Sequence, residues 1–220
     1  ICLILLQIFF EIHMRTDDKY ILKKTSEDIE EELEKQYPEA HIIRFDFDTT
    51  RNKNTHLKLL KDFEEHKADI MLGTQMIAKG LDFSNVTFVG VLMADLSLMV
   101  PDFRASERTF QLLCQVAGRS GRGDKPGVAY IQTFVPDHYV LNLAAEQNYD
   151  EFYKEEIALR KSLTYPPFCD ICVIGFSAPL ESKVIGASRW VTQLIKEYIS
   201  QHRVNFPLRA LGPAPCTFEM

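Results

Sequence analysis

The sequence predicts an α/β protein: a parallel sheet covered on both faces by helices, with a partial α+β unit behind it. Three observations carry that prediction. Between residues 25 and 135, short apolar runs alternate with amphipathic stretches at short intervals, the pattern of βα repeats. With 220 residues and 46% hydrophobic content, the chain can bury one full core and a smaller second one. After Pro136 the pattern changes, and Tyr165-Pro166-Pro167-Phe168 reads as a rigid extended stop, because proline disfavours helix in the residue before it. These boundaries divide the chain into a leading segment 1–24, an α/β lobe 25–135, a helical linker 136–168 and a partial α+β domain 169–220.

Taken in order, residues 1–24 stand outside the pattern. Ile1–Ile12 is an apolar run broken by Gln7 and Glu11, shorter than the roughly 20 residues that cross a bilayer. No basic region precedes it and no small-residue cleavage site follows, so it is not read as a signal peptide. It is assigned no element, and an exposed run of this kind favours aggregation. From there Thr25 or Ser26 can cap a helix that buries Ile29 and Leu33 and ends near Pro38. A strand of alternating character follows at His41–Phe47. A helix over Thr55–Glu65 is expected to turn Leu57, Leu60 and Phe63 inward; strands follow at Asp69–Leu72 and Val86–Met93. Ala105–Ala117 should be helical, with Phe110, Leu113, Cys114 and Ala117 as one apolar stripe, and Gly127–Phe134 should be the last strand of the lobe. Open sheets of this type place ligand sites at the strands' carboxyl ends, which selects Asp46–Arg51, Thr74–Asp82 and Asp95–Asp102. Beyond, Leu141–Leu163 reads as one charged helix, then strand Cys169–Ser177, helix Leu180–Gln201 and strand Leu208–Leu211.

The charge balance argues against nucleic-acid binding through a diffuse basic field, since the net charge is −6. Charge is segregated, however: six acidic residues lie between Glu27 and Glu34, the solvated face of a helix, whereas Arg51–Lys61 and Arg119–Lys125 are locally basic. Any nucleic-acid contact should use those two basic segments. Five scattered cysteines, at positions 2, 114, 169, 172 and 216, lack the spacing of a secreted disulfide framework and fit a reducing compartment. Cys169 and Cys172 are three apart, but no second pair completes four zinc ligands, and on a strand the two would point to opposite faces. No metal site is assigned.

The chemistry concentrates in Gln115-Val116-Ala117-Gly118-Arg119-Ser120-Gly121-Arg122. If the preceding helix continues, positions 115, 119 and 122 share one face and present two guanidinium groups together. Planar, permanently charged donors of that kind match phosphate oxygens as charge builds during phosphoryl transfer. Upstream, Ala68–Leu72 runs into Gly73-Thr74-Gln75-Met76-Ile77-Ala78-Lys79-Gly80-Leu81-Asp82. The carboxyl end of that strand would offer the Thr74 hydroxyl, the Gln75 amide and free N–H groups to an anionic backbone, with Lys79 as a point charge. Gly80 permits a sharp exit, and Asp82 can orient an arginine or a ribose hydroxyl.

These two segments resemble motifs V and VI of superfamily 2 helicases. With Pro101-Asp102-Phe103-Arg104-Ala105-Ser106-Glu107-Arg108-Thr109-Phe110-Gln111-Leu112-Leu113, and with flanking similarity from Glu30 to Arg51, at Glu146–Tyr149 and at Tyr165–Phe168, the chain resembles the PriA family of bacterial replication-restart helicases. The resemblance implies the second RecA-like lobe of an ATP-dependent motor and part of a small carboxy-terminal domain. Arg119 and Arg122 would then be arginine fingers, Arg122 foremost. Gln115, Gly118, Gly80 and Asp82 would complete the ATP side, while Thr74, Gln75 and Lys79 would hold the tracked DNA strand. It further implies 3′ to 5′ unwinding and action on branched and single-stranded DNA. Partners would be single-strand-binding protein, primosome proteins and the machinery that loads the replicative helicase. Location in the cytoplasm, and no membrane, belong to the same implication.

The chain contains no G-x-x-x-x-G-K-[ST] loop and no D-E-x-H string, so the elements that grip ATP and Mg²⁺ are expected on a first lobe outside it. The family's zinc-binding cysteines, upstream of residue 25 here, are likewise missing. This polypeptide alone is therefore expected neither to hydrolyse ATP usefully nor to unwind DNA. Two other readings stay open, the first of them disfavoured by the stretch 101–113. A different superfamily 2 translocase would share motifs V and VI but not the stretch 101–113, and a non-catalytic lobe would dock DNA or a partner without turnover. In the carboxy-terminal part, Trp190, Tyr198 and Arg203 are candidates for a contact surface.

Overall fold

A computed structural model describes residues 2–7, 26–45, 53–74, 86–118, 126–202 and 208–214. The described chain divides into two compact units, one ending at Cys169 and the other beginning at Asp170.

The first unit is built on a five-stranded sheet. Its strands are β1 (Cys2–Gln7), β2 (Ile42–Phe45), β3 (Ile70–Gly73), β4 (Val86–Leu92) and β5 (Val128–Ile131), in the spatial order β2-β3-β1-β4-β5. Every neighbouring pair is parallel. β1 is the central strand, with Leu3–Leu6 opposite Ile70–Gly73 on one side and Leu3–Gln7 opposite Phe88–Leu92 on the other. This corrects the reading of residues 1–24 as a segment outside the fold. A run of six residues is too short and too uniformly apolar to show a period. Only the two ladders on either side of it reveal that it is a strand in the middle of a sheet.

Helices cover both faces. The α1 helix (Ser26–Gln36) lays Ile29 and Leu33 against Ile70 and Leu72 of β3. Met71, pointing the other way as strand alternation requires, joins the larger core with Phe63 of α2 (Lys53–Glu64). That core continues through Val86, Val89 and Val91 of β4 to Phe110, Leu113 and Val116 of α4 (Ala105–Ala117), which follows the short α3 (Asp95–Leu98). Leu57 does not point inward: it is 64% exposed. At 100° per residue it lies well off the stripe made by Leu59, Leu60 and Phe63, which is the stripe that meets the sheet. β4 stops at Leu92, where Met93 takes a positive φ of 53°.

The expected single helix over 141–163 is two helices, α5 (Tyr139–Ala145) and α6 (Tyr149–Leu163). Gln147 at φ 53° breaks the path, and the Asn148 side chain caps α6 by accepting from the Glu151 N–H at 3.2 Å. α6 ends at Thr164 in the left-handed region, just before Tyr165-Pro166-Pro167.

In the second unit α7 (Glu181–Gln201) forms as expected, but 169–177 and 208–211 are not strands. A strand is stabilised by its ladder partners, and none of the described residues pairs with either segment. Val173 is accordingly 87% exposed. The divergence argument for Cys169 and Cys172 loses its strand with it: Cys169 Sγ instead donates to the Thr164 carbonyl at 2.9 Å, and Cys172 is exposed. Trp190 is 65% exposed on α7, and Tyr198 is exposed on the same helix.

Candidate nucleotide-facing helix and strand-end site

Among the predicted site residues, the described ones are Thr74, Gln115 and Gly118. Gln75, Lys79, Gly80, Asp82, Arg119 and Arg122 lie outside the described residues, as do Asp46–Arg51 and Arg203. Thr74 follows β3 directly, half-buried at the carboxyl edge of the sheet. Gln115 and Gly118 belong to a different element, α4, which lies between the parallel neighbours β4 and β5 in the chain. α4 is 13 residues and so about 20 Å long, and its last turn holds Gln115 with its side chain exposed. Thr74 follows β3 while Gln115 and Gly118 close α4. Of the segments expected at the strands' carboxyl ends, Thr74 follows β3 and Asp95–Asp102 follows β4 among the described residues.

Gly118 closes α4 with φ −72°, its N–H bonded to the Cys114 carbonyl at 3.0 Å. A Cβ added there would lie 3.3 Å from that same carbonyl oxygen. α4 forms because its apolar residues fall on one side, and the buried set, Thr109, Phe110, Leu112, Leu113 and Val116, is broader than the predicted stripe, since Cys114 and Ala117 are only half-buried. Burial pushes the Cys114 thiol up, which keeps it protonated and unreactive.

Two polar clusters that sequence reasoning missed hold this helix. At its start, Asp102 accepts from the Arg104 guanidinium and backbone N–H, and from Arg108 at 2.9 Å. The hydrogen bond from Arg104 holds the Asp102 carboxyl below its ordinary value, against the opposing effect of partial burial. Buried Thr109 donates to Ser97 of α3, and buried Asp95 accepts from Thr133 and from the Phe134 N–H at 3.0 Å, which ties the end of β4 to the segment after β5. On the outer side, Arg160 of α6 bonds Glu156 and Glu107 of α4, each at 2.8 Å. Its partner Glu107 lies 53 residues away in sequence, so no local pattern could have found the pair.

No group of three metal-ligating side chains occurs among the described residues, and no described helix is long and apolar enough to cross a membrane.

The helicase conserved C-terminal domain family matches residues 4–124, a span that starts inside β1 and takes in both Thr74–Asp82 and Gln115–Arg122. The chain is 50% identical over 168 residues to the replication restart protein PriA of Bacillus subtilis, covering 76% of this chain and 21% of that protein. Against PriA of Chlamydia pneumoniae the identity is 42% over 187 residues, covering 85% of this chain and 25% of the relative. The chain therefore spans about a quarter or less of the length of these curated relatives. Among solved structures, the C-terminal domain of the DEAD-box protein Dbp5 superposes with a TM-score of 0.47 at 16% identity, over 73% of this chain and 82% of that one. Its fold is set by its own parallel sheet and helices, and this chain belongs to the helicase conserved C-terminal domain family and is similar to replication restart proteins PriA.

Proposed function

We propose that this chain supplies the second RecA-like lobe of an ATP-dependent DNA helicase that restarts replication at stalled or abandoned forks. The observation that carries the reading is the helicase-family match across both motif segments, with Gln115 presented on the exposed side at the end of α4 where Arg119 and Arg122 follow in sequence. On this reading ATP and Mg²⁺ are held mainly by a first lobe. Arg119 and Arg122 approach the γ-phosphate from this side, Gln115 senses the nucleotide, and Gly80, Asp82 and Gly118 shape the same seam. Thr74, Gln75 and Lys79 hold the DNA backbone, so closure of the lobes on ATP is converted into movement along the strand.

The motor moves 3′ to 5′ on branched and single-stranded DNA in the cytoplasm. It works with single-strand-binding protein, primosome proteins and the loading machinery of the replicative helicase. The 220-residue chain by itself turns over no ATP. The test is Arg122→Ala in the full-length protein: DNA binding is retained while ATPase activity falls by about 10³-fold or more, the scale of arginine-finger losses. Activity within a few-fold of the unsubstituted protein would sink the finger assignment, and ATPase activity from the 220-residue chain alone would sink the division of labour.

A further inference from the structure

Arg160 occupies an unusual position. Its side chain is 13% exposed and meets four groups from separate parts of the first unit. Nε donates to Glu156 Oε1 one helical turn back, and Nη2 donates to Glu107 Oε2 on α4, both at 2.8 Å. Nη1 reaches the Pro166 carbonyl at 3.5 Å, and the guanidinium lies 5.3 Å from the centre of the Phe103 ring, which stacks on Tyr165. Burial opposes the charge on Arg160, but its hydrogen bonds to Glu156 and Glu107 outweigh that effect and raise its pKa above the ordinary value. Glu156, 8% exposed, also accepts from the Tyr139 hydroxyl of α5 at 2.9 Å, and that hydroxyl in turn meets Ser106 of α4. Below this polar junction Phe110 of α4 stacks on Phe152 of α6 with ring centres 4.0 Å apart. α4 is thus bolted to α5 and α6 at its start, and the bolt lies two turns from Gln115.

We propose that Glu107 and Arg160 are a positioning pair that fixes the orientation of α4, and through it the placement of the nucleotide-contacting residues that follow Gln115. The proposal rests on the reading of that helix end as the ATP side. A helix carries a small rotation at one end to the other with little loss, and a misplacement of about 1 Å in a catalytic group costs up to about 10²-fold in rate. The pair also makes α6, the last helix before the Cys169 boundary, a fixed companion of α4.

Glu107→Ala removes the contact while leaving the Arg160–Glu156 pair intact; it also removes the 3.3 Å bond from Gln111 Nε2, so Gln111→Ala, expected to keep full turnover, is run beside it. In the full-length protein this variant should lower the kcat of DNA-stimulated ATP hydrolysis about tenfold. KM for ATP and affinity for DNA should stay within about twofold, and the unfolding temperature should be nearly unchanged. Arg160→Lys, which keeps the charge but not the fork, should give an intermediate loss, and the double variant should be no worse than Glu107→Ala, the mark of a shared contact. Lys154→Ala removes a comparable surface pair on α6, Lys154–Glu151, and serves as the control with unchanged turnover. If Glu107→Ala keeps the control's kcat while Arg122→Ala is inactive, the positioning role is wrong and the motor reading stands. If Arg122→Ala stays active, the finger assignment fails. The pair is then judged on the 220-residue chain by hydrogen exchange, where Glu107→Ala must speed exchange at 115–118 relative to β4, and equal exchange overturns it.

Discussion

Tyr139 shows how one side chain converts burial into a pH dependence. Burial raises its pKa to about 12, helped by the bond to Glu156 and opposed by the one with Ser106. The folded state therefore keeps the phenol neutral where an unfolded chain, titrating near 10.0, has begun to lose the proton. Its contribution to stability is complete below that ordinary value and is lost as pH rises from there through the folded value. Urea unfolding of the chain across this alkaline range should show a falling limb that Tyr139→Phe flattens. An unchanged slope in the variant would show that other groups cause the loss. None of this could be foreseen from a tyrosine in the run Asp137-His138-Tyr139-Val140, because the desolvation comes from helices distant in sequence. Gln115 is the opposite case. Its spacing from Arg119 and Arg122 marked it at once, and the structure adds that its side chain is uncovered.

At the scale of elements, the helices were legible where an apolar stripe recurs at helical spacing. Ala105–Ala117 forms over its predicted span because its apolar residues recur at helical spacing and Asp102 and Arg104 arrange the turn before it. The break between α5 and α6 was hidden, since Glu146-Gln147-Asn148 is compatible with helix until Asn148 finds the Glu151 N–H. Replacing Asn148 by alanine should cost about 1 kcal/mol, the usual worth of such a cap. Thermal or urea unfolding checks this, and an unchanged midpoint would mean that α5–α6 packing alone places the turn. The strands expected at 169–177 and 208–211 mark the limit of pattern reading. Their sequences suit strands, yet a strand is a relation between two segments and no described neighbour pairs with them.

The whole molecule depends most on a segment that pattern reading set aside. β1 supplies both ladders at the centre of the sheet, so without it β3 and β4 have no hydrogen-bonded neighbour joining them. A chain lacking residues 1–7 should lose cooperative unfolding and much of its far-ultraviolet circular dichroism; a sharp two-state transition in that variant would show that the sheet closes without β1.

From residue order alone came the α/β class, the strand-to-turn run ending at Thr74, the helix ending at Gly118 and the family they belong to, because each is written in contiguous spacing that one element reads by itself. The tertiary structure alone decided that Cys2–Gln7 is the central strand and that Arg160 reaches across to Glu107. Each of those is a meeting of segments far apart in the chain, and the energy that selects it, ladder hydrogen bonds or a shielded ion pair, does not exist until the segments meet.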